Sequence, residues 1–380
     1  RSADNLALTL TVPAAADYHI SFDESVTVTT PLSAVDGDSA PPAVVAAATV
    51  SSLVPTFSLG GQTTVTETDL RDTGFSFTIT LENDIWSAAV ATATADAAVD
   101  ALLAAMQAPA GAQPSAWETT VALDETSVTR TSNTVVTIAV PAVGLYVLVG
   151  SDETISVGAP GLALGGGVAA AVAHTLTVTD VAPSVALSGT IGGGGGVESL
   201  LPAGGATVVI DMTDGLWATS VQTGVASAAT SALLAGISGP GVEPAGWQAI
   251  VAPLLTASHV TLSSDRQVTV ALPFVLGFAV SNPAGEVITV SVPTSATRSG
   301  DAVLTPAETF TIVDQVGTVS LGGTLGSNGN QDLFATGFGA IEMTLTADSW
   351  SNDMVTGTAN AAVLALLAGF SGQGTELRGW

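Results

Sequence analysis

Residues 75–86 read FSFTITLENDIW, and the chain repeats the pattern of this stretch twice more. The second copy is TVVIDMTDGLW at 207–217, and the third is AIEMTLTADSW at 340–350. Each copy alternates apolar and polar residues before a tryptophan, which is typical of a β-strand with one face in a core. The three tryptophans lie 131 and 133 residues apart, so the chain is predicted to be an array of similar modules.

A helix pattern and a second tryptophan follow each strand. Residues 95–107, ADAAVDALLAAMQ, place apolar side chains at i, i+3, i+4 and i+7, which predicts an amphipathic helix. SAATSALLAGI (227–237) and NAAVLALLAGF (360–370) predict its counterparts, and Gly236 and Gly369 are expected to end them in the left-handed conformation. The residues predicted to form the structural cores are Trp86, Trp117, Trp217, Trp247, Trp350, Trp380, Leu102, Leu103, Leu233, Leu234, Leu366 and Leu367.

The other half of each module consists of further strand patterns. In the first complete copy these are TVVTIAVP, YVLVGSDETISVGAP and HTLTVTD, and NLALTLTVP (5–13) and YHISFDESVTVTTP (18–31) match the first two of them. The chain therefore opens with the second half of a module. The predicted segments are the C-terminal half of a module at 1–55, complete modules at 56–183 and 184–315, and the N-terminal half of a module at 316–380.

Two interpretations of the terminal halves stay open. The chain is either a window from a longer tandem array, or a protomer that polymerises head to tail when its C-terminal half completes the N-terminal half of a neighbour. Neither half is expected to be stable alone, because each would expose apolar faces and strand edges.

The charge of the chain restricts its partners. It has 33 acidic residues against six basic ones, and the net charge is −27. Such a charge repels phosphate backbones and anionic lipid head groups, so we expect no nucleic-acid partner and interpret the acidity as an aid to solubility. No run of eighteen strongly apolar residues predicts membrane insertion. Cysteine is absent, which removes disulfides, thiol nucleophiles and thiolate metal sites.

Catalytic and metal-binding patterns are weak. His19, His174 and His259 fall at different module positions, and a zinc site is not expected. GISGPG at 236–241 is interpreted as a helix-ending loop and not as a nucleophile elbow. The five glycines at 192–196 lack the lysine of a phosphate-binding loop and predict a flexible hairpin or a close backbone contact.

Paired acids are the better candidate for a ligand site. Asp23–Glu24 and Asp152–Glu153 share one module position, and Asp36–Asp38 forms a turn with oxygens suited to calcium at an inter-module loop. The third copy has Gly285–Glu286 instead of a pair. Neighbouring side chains of a strand also point to opposite faces, so the expected cofactor is none, with calcium as the alternative.

The tryptophans also admit two interpretations. They are either sugar-stacking platforms or core residues, and the core is favoured because this aromatic-poor chain needs their apolar area. Asp84, Asp214 and Asp348, which precede the first tryptophan of each copy, are interpreted as turn residues.

The strings VTRTSNTVVTIAVP (128–141) and SDETISVGAP (151–160), with the two tryptophans and the ALLA helix, resemble tandem immunoglobulin-like modules. Such modules occur in very large surface, fibre and adhesin-type proteins of marine microbes and their phages. The resemblance implies an all-β fold of tandem immunoglobulin-like β-sandwiches of about 130 residues, each with one short α-helix.

The expected function is structural. We predict a repeat segment of an extracellular filament, surface layer or adhesin stalk, on a cell or virion surface, and not an enzyme. The expected partner is the chain itself or a longer array, with surface glycans as a further partner. The alternative is an adhesin array that binds carbohydrate or a receptor through variable loops or exposed tryptophans.

Overall fold

The structure is a computed structural model of the chain. It describes residues 9–13, 18, 20, 22–29, 46–108, 117–192, 195–198, 200–242, 245–275, 277–282, 284–305, 307–315, 317–323, 340–346, 350, 353–354 and 357–371. This part of the chain is mostly strand, in several largely antiparallel sheets with few helices, and the prediction of an all-β chain is confirmed. Two compact units, Arg1–Ala182 and Pro183–Trp380, are described separately below.

The described residues of the first unit form ten strands and three α-helices. The strands are β1 (Glu24–Val28), β2 (Ala46–Val50), β3 (Thr56–Gly61), β4 (Thr64–Thr66), β5 (Phe75–Glu82), β6 (Met106–Gln107), β7 (Val128–Arg130), β8 (Val135–Val140), β9 (Glu153–Val157) and β10 (His174–Thr179). The helices are α1 (Glu67–Asp72), α2 (Ala97–Ala104) and α3 (Trp117–Thr120). Short 3₁₀ turns lie at Glu125–Ser127 and Gly161–Ala163.

The second unit repeats this order of elements. Its strands are β11 (Ser184–Ser188), β12 (Gly196–Val197), β13 (Thr207–Thr213), β14 (Ile237–Ser238), β15 (Val260–Ser264), β16 (Gln267–Ala271), β17 (Glu286–Val290), β18 (Glu308–Val313), β19 (Thr318–Gly322) and β20 (Glu342–Thr346). Its α-helices are α4 (Leu200–Ala203), α5 (Ala228–Ala235) and α6 (Ala361–Ala368). A π-helix spans Trp247–Val251, and 3₁₀ turns lie at Ala252–Leu254, Ala257–His259 and Thr294–Ala296.

Strands β3 to β10 form what we call the first module. One sheet has the order β3-β5-β8-β7 and the other β4-β10-β9-β6, and a single apolar core takes side chains from both. The predicted pairing of FSLGG with FSFTITL is confirmed, since Phe57 lies opposite Leu81 and Leu59 opposite Ile79. Inward residues of β5 are buried and outward ones are polar, as the alternating pattern predicts.

Strands β11 to β18 form the second module with the same two strand orders, β11-β13-β16-β15 and β12-β18-β17-β14. Strands β4 and β12 each run parallel to the last strand of their module. Gly195, just before β12, has φ +79°, and a Cβ there would lie 2.3 Å from the carbonyl oxygen of Thr311. The glycine run at this position therefore supplies the predicted close backbone contact, within the module itself.

The helices differ from the prediction in number and extent. The first module has three α-helices instead of one, because Thr66 and Asp69 form a capping box that starts α1 and four residues after Trp117 form α3. Helix α2 begins after the N-cap Asp96 and ends at Ala104, short of the predicted 95–107. Met106 instead pairs with Val157, so strand pairing ends the helix.

Gly236 ends α5, but the predicted left-handed conformation is wrong. Its φ is −72° and its ψ is −12°, and Gly369 at the end of α6 has nearly the same angles. A Cβ on Gly236 would lie 2.1 Å from the carbonyl oxygen of Ser291. The residue is glycine because two backbone segments approach closely there, and not because φ is positive.

None of the helices in the described part of the chain has the length and apolar character that crossing a bilayer requires.

Candidate assembly interface

Strands β1 and β2, here called the N-terminal sheet, reproduce one strand pair of the complete modules residue for residue. Glu24 lies opposite Val50 as Glu153 lies opposite Val178. Glu286 and Ile312 have the same relation in the second module. The N-terminal sheet is therefore the counterpart of β9–β10 and of β17–β18.

The inward face of this sheet is exposed. Val26 and Val28 are 42% and 55% exposed, whereas their counterparts Ile155 and Val157 are fully buried. Val50 is 37% exposed where Val178 is buried. The N-terminal sheet thus presents to solvent a face that the complete modules place in their cores.

Polar contacts of the complete modules are already formed in the N-terminal sheet. The Tyr18 hydroxyl donates to the Glu24 carboxylate, as the Tyr146 hydroxyl donates to Glu153. Ser52 N donates to Asp23 Oδ1 over 2.8 Å, which matches the bond from Asp180 N to Asp152. The local geometry of a complete module is therefore present without the second tryptophan amide that binds Glu153 in the first module.

Residues 9–13 precede this sheet and were predicted to lie in a strand, but the structure places them outside any strand. Counted back from Pro13, Leu10 and Val12 correspond to Ile138 and Val140 of β8. Both side chains are 81% exposed, although those of Ile138 and Val140 are buried. The physical reason is that β8 is a strand by pairing with β5 and β7, and no such partner lies beside residues 9–13 in the described structure.

Strands β19 and β20 with helix α6, here called the C-terminal segment, correspond to the other half of a module. Val319 lies opposite Leu345 as Phe57 lies opposite Leu81, and β20 pairs only with β19 among the described residues. Val319 is 53% exposed, whereas Phe57 is buried. The edge of β20 that corresponds to the β8-pairing edge of β5 is open in this part of the structure.

Two predicted core residues of the C-terminal segment are exposed, and the prediction for them is wrong in this structure. Trp350 is 39% exposed and Leu367 is 59% exposed, while Leu366 is half-buried. In the complete modules the corresponding helix packs against a 3₁₀ turn of the second half, and Trp86 forms a β-bridge with Leu164. No second half covers the described residues of the C-terminal segment, so these side chains meet solvent. Trp380 lies outside the described residues.

The tryptophans of the complete modules are core residues and not surface platforms. Trp86, Trp117, Trp217 and Trp247 are buried, and Trp247 Nε1 donates to the Ile237 carbonyl over 3.1 Å. Leu102 and Leu233 are fully buried beside them, whereas Leu103 and Leu234 are half-buried on the flanks of the cores. None of these four rings is available to stack on a sugar.

A buried glutamate joins the halves of each module. Glu286 Oε2 accepts the Trp247 amide over 2.8 Å, and Glu153 Oε1 accepts the Trp117 amide over 3.2 Å. Burial and the bond to Glu153 raise the pKa of Tyr146 well above its ordinary value. These carboxylates hold the segment after the helix onto the second half, which is a structural role.

A second glutamate has a similar role at the other end of the core. Glu67 Oε2 accepts the Leu148 amide over 2.7 Å, and Glu198 accepts that of Val280 over 2.7 Å. Arg71 forms a buried ion pair with Glu67 at 3.1 Å. Desolvation raises the pKa of Glu67 to about 7, against the opposing effects of the Leu148 amide and Arg71. Sequence reasoning missed both Glu67 and Glu198.

The acid pairs do not converge on one point. Asp152 is exposed and accepts the Asp180 amide, whereas Glu153 on the opposite face is buried. The Asp36–Asp38 turn lies outside the described residues. Within the described part, no group of three or more His, Cys, Asp or Glu side chains is placed to hold a metal ion.

The remaining polar candidates have local contacts. His174 packs edge-on against Phe57, and His259 Nδ1 accepts the Thr256 amide; His19 is outside the described residues. Asp84 is buried and accepts the Gly166 amide. Asp214 has φ +60°, as its interpretation as a turn residue predicts, and Asp348 is not described.

Each complete module also has a groove between its helix and the segment after the second tryptophan. The groove of the second module has a volume of about 580 Å³ and is lined by Leu234, Ile237 and Leu255 among others. That of the first module has a volume of about 420 Å³ and includes Asp100 and Glu118. The position recurs, but the lining changes from neutral to acidic.

A scan of the chain against models of protein families found no match, and a search of curated proteins found none either.

Proposed function

We propose that this chain is a structural repeat segment of an extracellular filament, surface layer or adhesin stalk. The observation that carries the proposal is the repetition itself. The same two-sheet module occurs twice with the same strand orders, and only residues 180–183 separate β10 from β11. Repetition with so short a linker is typical of proteins that build length.

The strand order supports an immunoglobulin-like assignment. If β3, β5, β6, β7, β8, β9 and β10 are lettered A to G in chain order, the first sheet reads A-B-E-D and the second reads G-F-C. These are the sheets of an immunoglobulin constant-type domain, and β4 adds an edge strand beside G. Helix α2 lies in the connection from B to C, where the chain passes from one sheet to the other.

The use of the polar side chains supports a structural role over an enzymatic one. Glu67, Glu153, Glu198 and Glu286 are buried and bind backbone amides of their own module. We therefore propose no catalytic residue and no cofactor, with calcium at inter-module loops as the alternative. The high acidity fits a chain that stays soluble outside a cell without nucleic-acid or membrane partners.

An adhesin array that binds carbohydrate or a receptor is the second candidate. The recurrent groove favours it, because one module position with a variable lining suits variable ligands. Retention of the chain on a polysaccharide column, with loss of retention in Leu255→Asp, would support this candidate over the structural one.

Small-angle X-ray scattering tests the structural proposal. We expect the maximum dimension of a covalent tandem of two chains to be about twice that of one chain, with an unchanged cross-section. A tandem whose radius of gyration grows only as that of a compact globule, roughly with the 0.38 power of its length, would refute it.

A further inference from the structure

We propose that residues 9–12 of one copy of this chain add as a strand to the open edge of β20 in a second copy, so that the N-terminal sheet and the C-terminal segment close one common core. This inference rests on the proposed function and names the partner that the repeat joins. The partner is a second copy of the chain.

The complete modules show how much apolar surface the two halves share. Of the 28 buried apolar side chains in the second module's core, 14 lie at or before Val251 and 14 lie at or after Val260. Each half therefore contributes an equal face to the core. A face of 14 apolar side chains is comparable with the roughly 800 Å² per partner of a stable protein interface.

Both faces are present and uncovered in the described structure. Val26 and Val28 lie on one face, and Val319, Trp350 and Leu367 on the other. Their counterparts in the complete modules lie in or beside a core formed by the same two halves in sequence. The chain thus shows twice what covers each face.

The complete modules also fix the register of the added strand. Phe77 lies opposite Ile138 and Thr78 opposite Thr137. Ile341 and Glu342 are the counterparts of Phe77 and Thr78, because Thr346 and Glu82 lie opposite Thr318 and Thr56. Leu10 and Thr9 correspond to Ile138 and Thr137, so Leu10 is placed opposite Ile341 and Thr9 opposite Glu342. Main-chain hydrogen bonds supply affinity in this mode, and the apolar face supplies specificity.

Disulfide trapping tests the register, because the chain contains no cysteine of its own. The variant T9C/E342C should form disulfide-linked dimers and longer ladders under mild oxidation, since opposed residues of antiparallel strands have Cβ atoms about 5 Å apart. The control T11C/E342C shifts the pair by two residues and should cross-link at least about 10-fold more slowly, because diagonal neighbours are about 7–8 Å apart. Equal trapping of both variants, or of neither, would overturn the register.

Light scattering on mixed variants tests the interface. Leu10→Asp places a charge on the added strand and Val319→Asp places one on the facing segment, and each should weaken self-association by at least about 100-fold. An equimolar mixture retains one intact interface and should give dimers that do not grow, which also shows that both variants fold. The control Val242→Asp, at a side chain 75% exposed in the second module, should assemble like the parent chain.

Three outcomes would overturn the proposal. They are a parent chain that stays monomeric at 100 µM in about 0.5 M salt, where charge repulsion is screened; a mixture of the two variants that stays monomeric; and loss of assembly in Val242→Asp. Any of them leaves the scattering test of the tandem chain intact, so a failure of this interface is separable from a failure of the structural proposal. On assembly the emission of Trp350 should shift to the blue as its ring leaves water.

Discussion

Replacement of Glu286 is the sharpest test of how a module holds its two halves together. The side chain is 2% exposed, and its Oε2 accepts the Trp247 amide over 2.8 Å. Glu286→Ala removes this acceptor and leaves a buried amide without a partner in a space that water fills poorly. Glu286→Gln keeps an acceptor oxygen of nearly the same shape.

The expected magnitudes follow from the geometry. A hydrogen bond to a charged acceptor contributes about 1.5–3 kcal/mol, and an orphaned buried amide costs a further ~1–3 kcal/mol. We therefore expect Glu286→Ala to destabilise the second module by about 3–5 kcal/mol. Glu286→Gln should cost about 1–2 kcal/mol, because it loses the charge but keeps the bond.

Hydrogen–deuterium exchange of the intact chain is the appropriate assay, since two modules need not unfold together. In Glu286→Ala, amides of β17 and around Trp247 should exchange about 100-fold or more faster, while those of β8 and β9 stay unchanged. Glu308→Ala on the neighbouring strand β18, a carboxylate only partly buried, is the matched control and should change stability by less than ~0.5 kcal/mol. Equal effects of the Ala and Gln variants at Glu286 would refute the reasoning.

Three further predictions concern single side chains. Because the pKa of Glu67 is raised to about 7, its folded state holds the proton more tightly than the unfolded state, so the first module should lose up to ~3 kcal/mol of stability as pH rises from 4.5 to 8; exchange rates measured across this range should show the loss, and Glu67→Gln should flatten it. Tyr146→Phe should cost about 1–3 kcal/mol through its lost bond to Glu153, measured by urea dependence of exchange in the first module, with no change in the second. Gly236→Ala should cost about 1–3 kcal/mol because its Cβ meets the Ser291 carbonyl, and a thermal midpoint equal to that of the parent chain would contradict the close approach.

The alternating strands were the predictable part of the fold. FSFTITL became β5 with its inward side chains buried, and the sequence segment that contains Glu24 became β1 in the register of β9. The period of two is a direct consequence of the pleat, so it survives changes of residue type between copies. The division of the chain into four segments stays a prediction.

The helices were less predictable because apolar period alone does not fix where they end. Met106 continues the period of α2, yet it lies in β6 because pairing with Val157 stabilises it more than another turn of helix would. Helix α1 is too short to show a period at all. Its sequence signal is the capping box of Thr66 and Asp69, which a search for apolar periodicity passes over.

The buried glutamates had a signal in the sequence that pair counting obscured. In β9, Glu153 alternates with Ile155 and Val157, so the period of two places the carboxylate on the inward face. Treating Asp152 and Glu153 as one acidic pair joined two side chains that lie on opposite faces. No pattern in a single strand reveals the acceptor's partner, because Trp117 is 36 residues away and meets Glu153 only in the folded module.

The acidity of the chain and the assembly proposed for it are physically compatible. At a net charge of −27, two copies repel at every surface where acidic side chains dominate. The inward faces of β1 and β19 instead carry Val26, Val28 and Val319, so contact there buries apolar area with little added repulsion. Repulsion elsewhere disfavours other contacts between copies, and the one approach that remains favourable joins the two complementary halves of a module. The same charge therefore keeps the chain soluble and selects the interface.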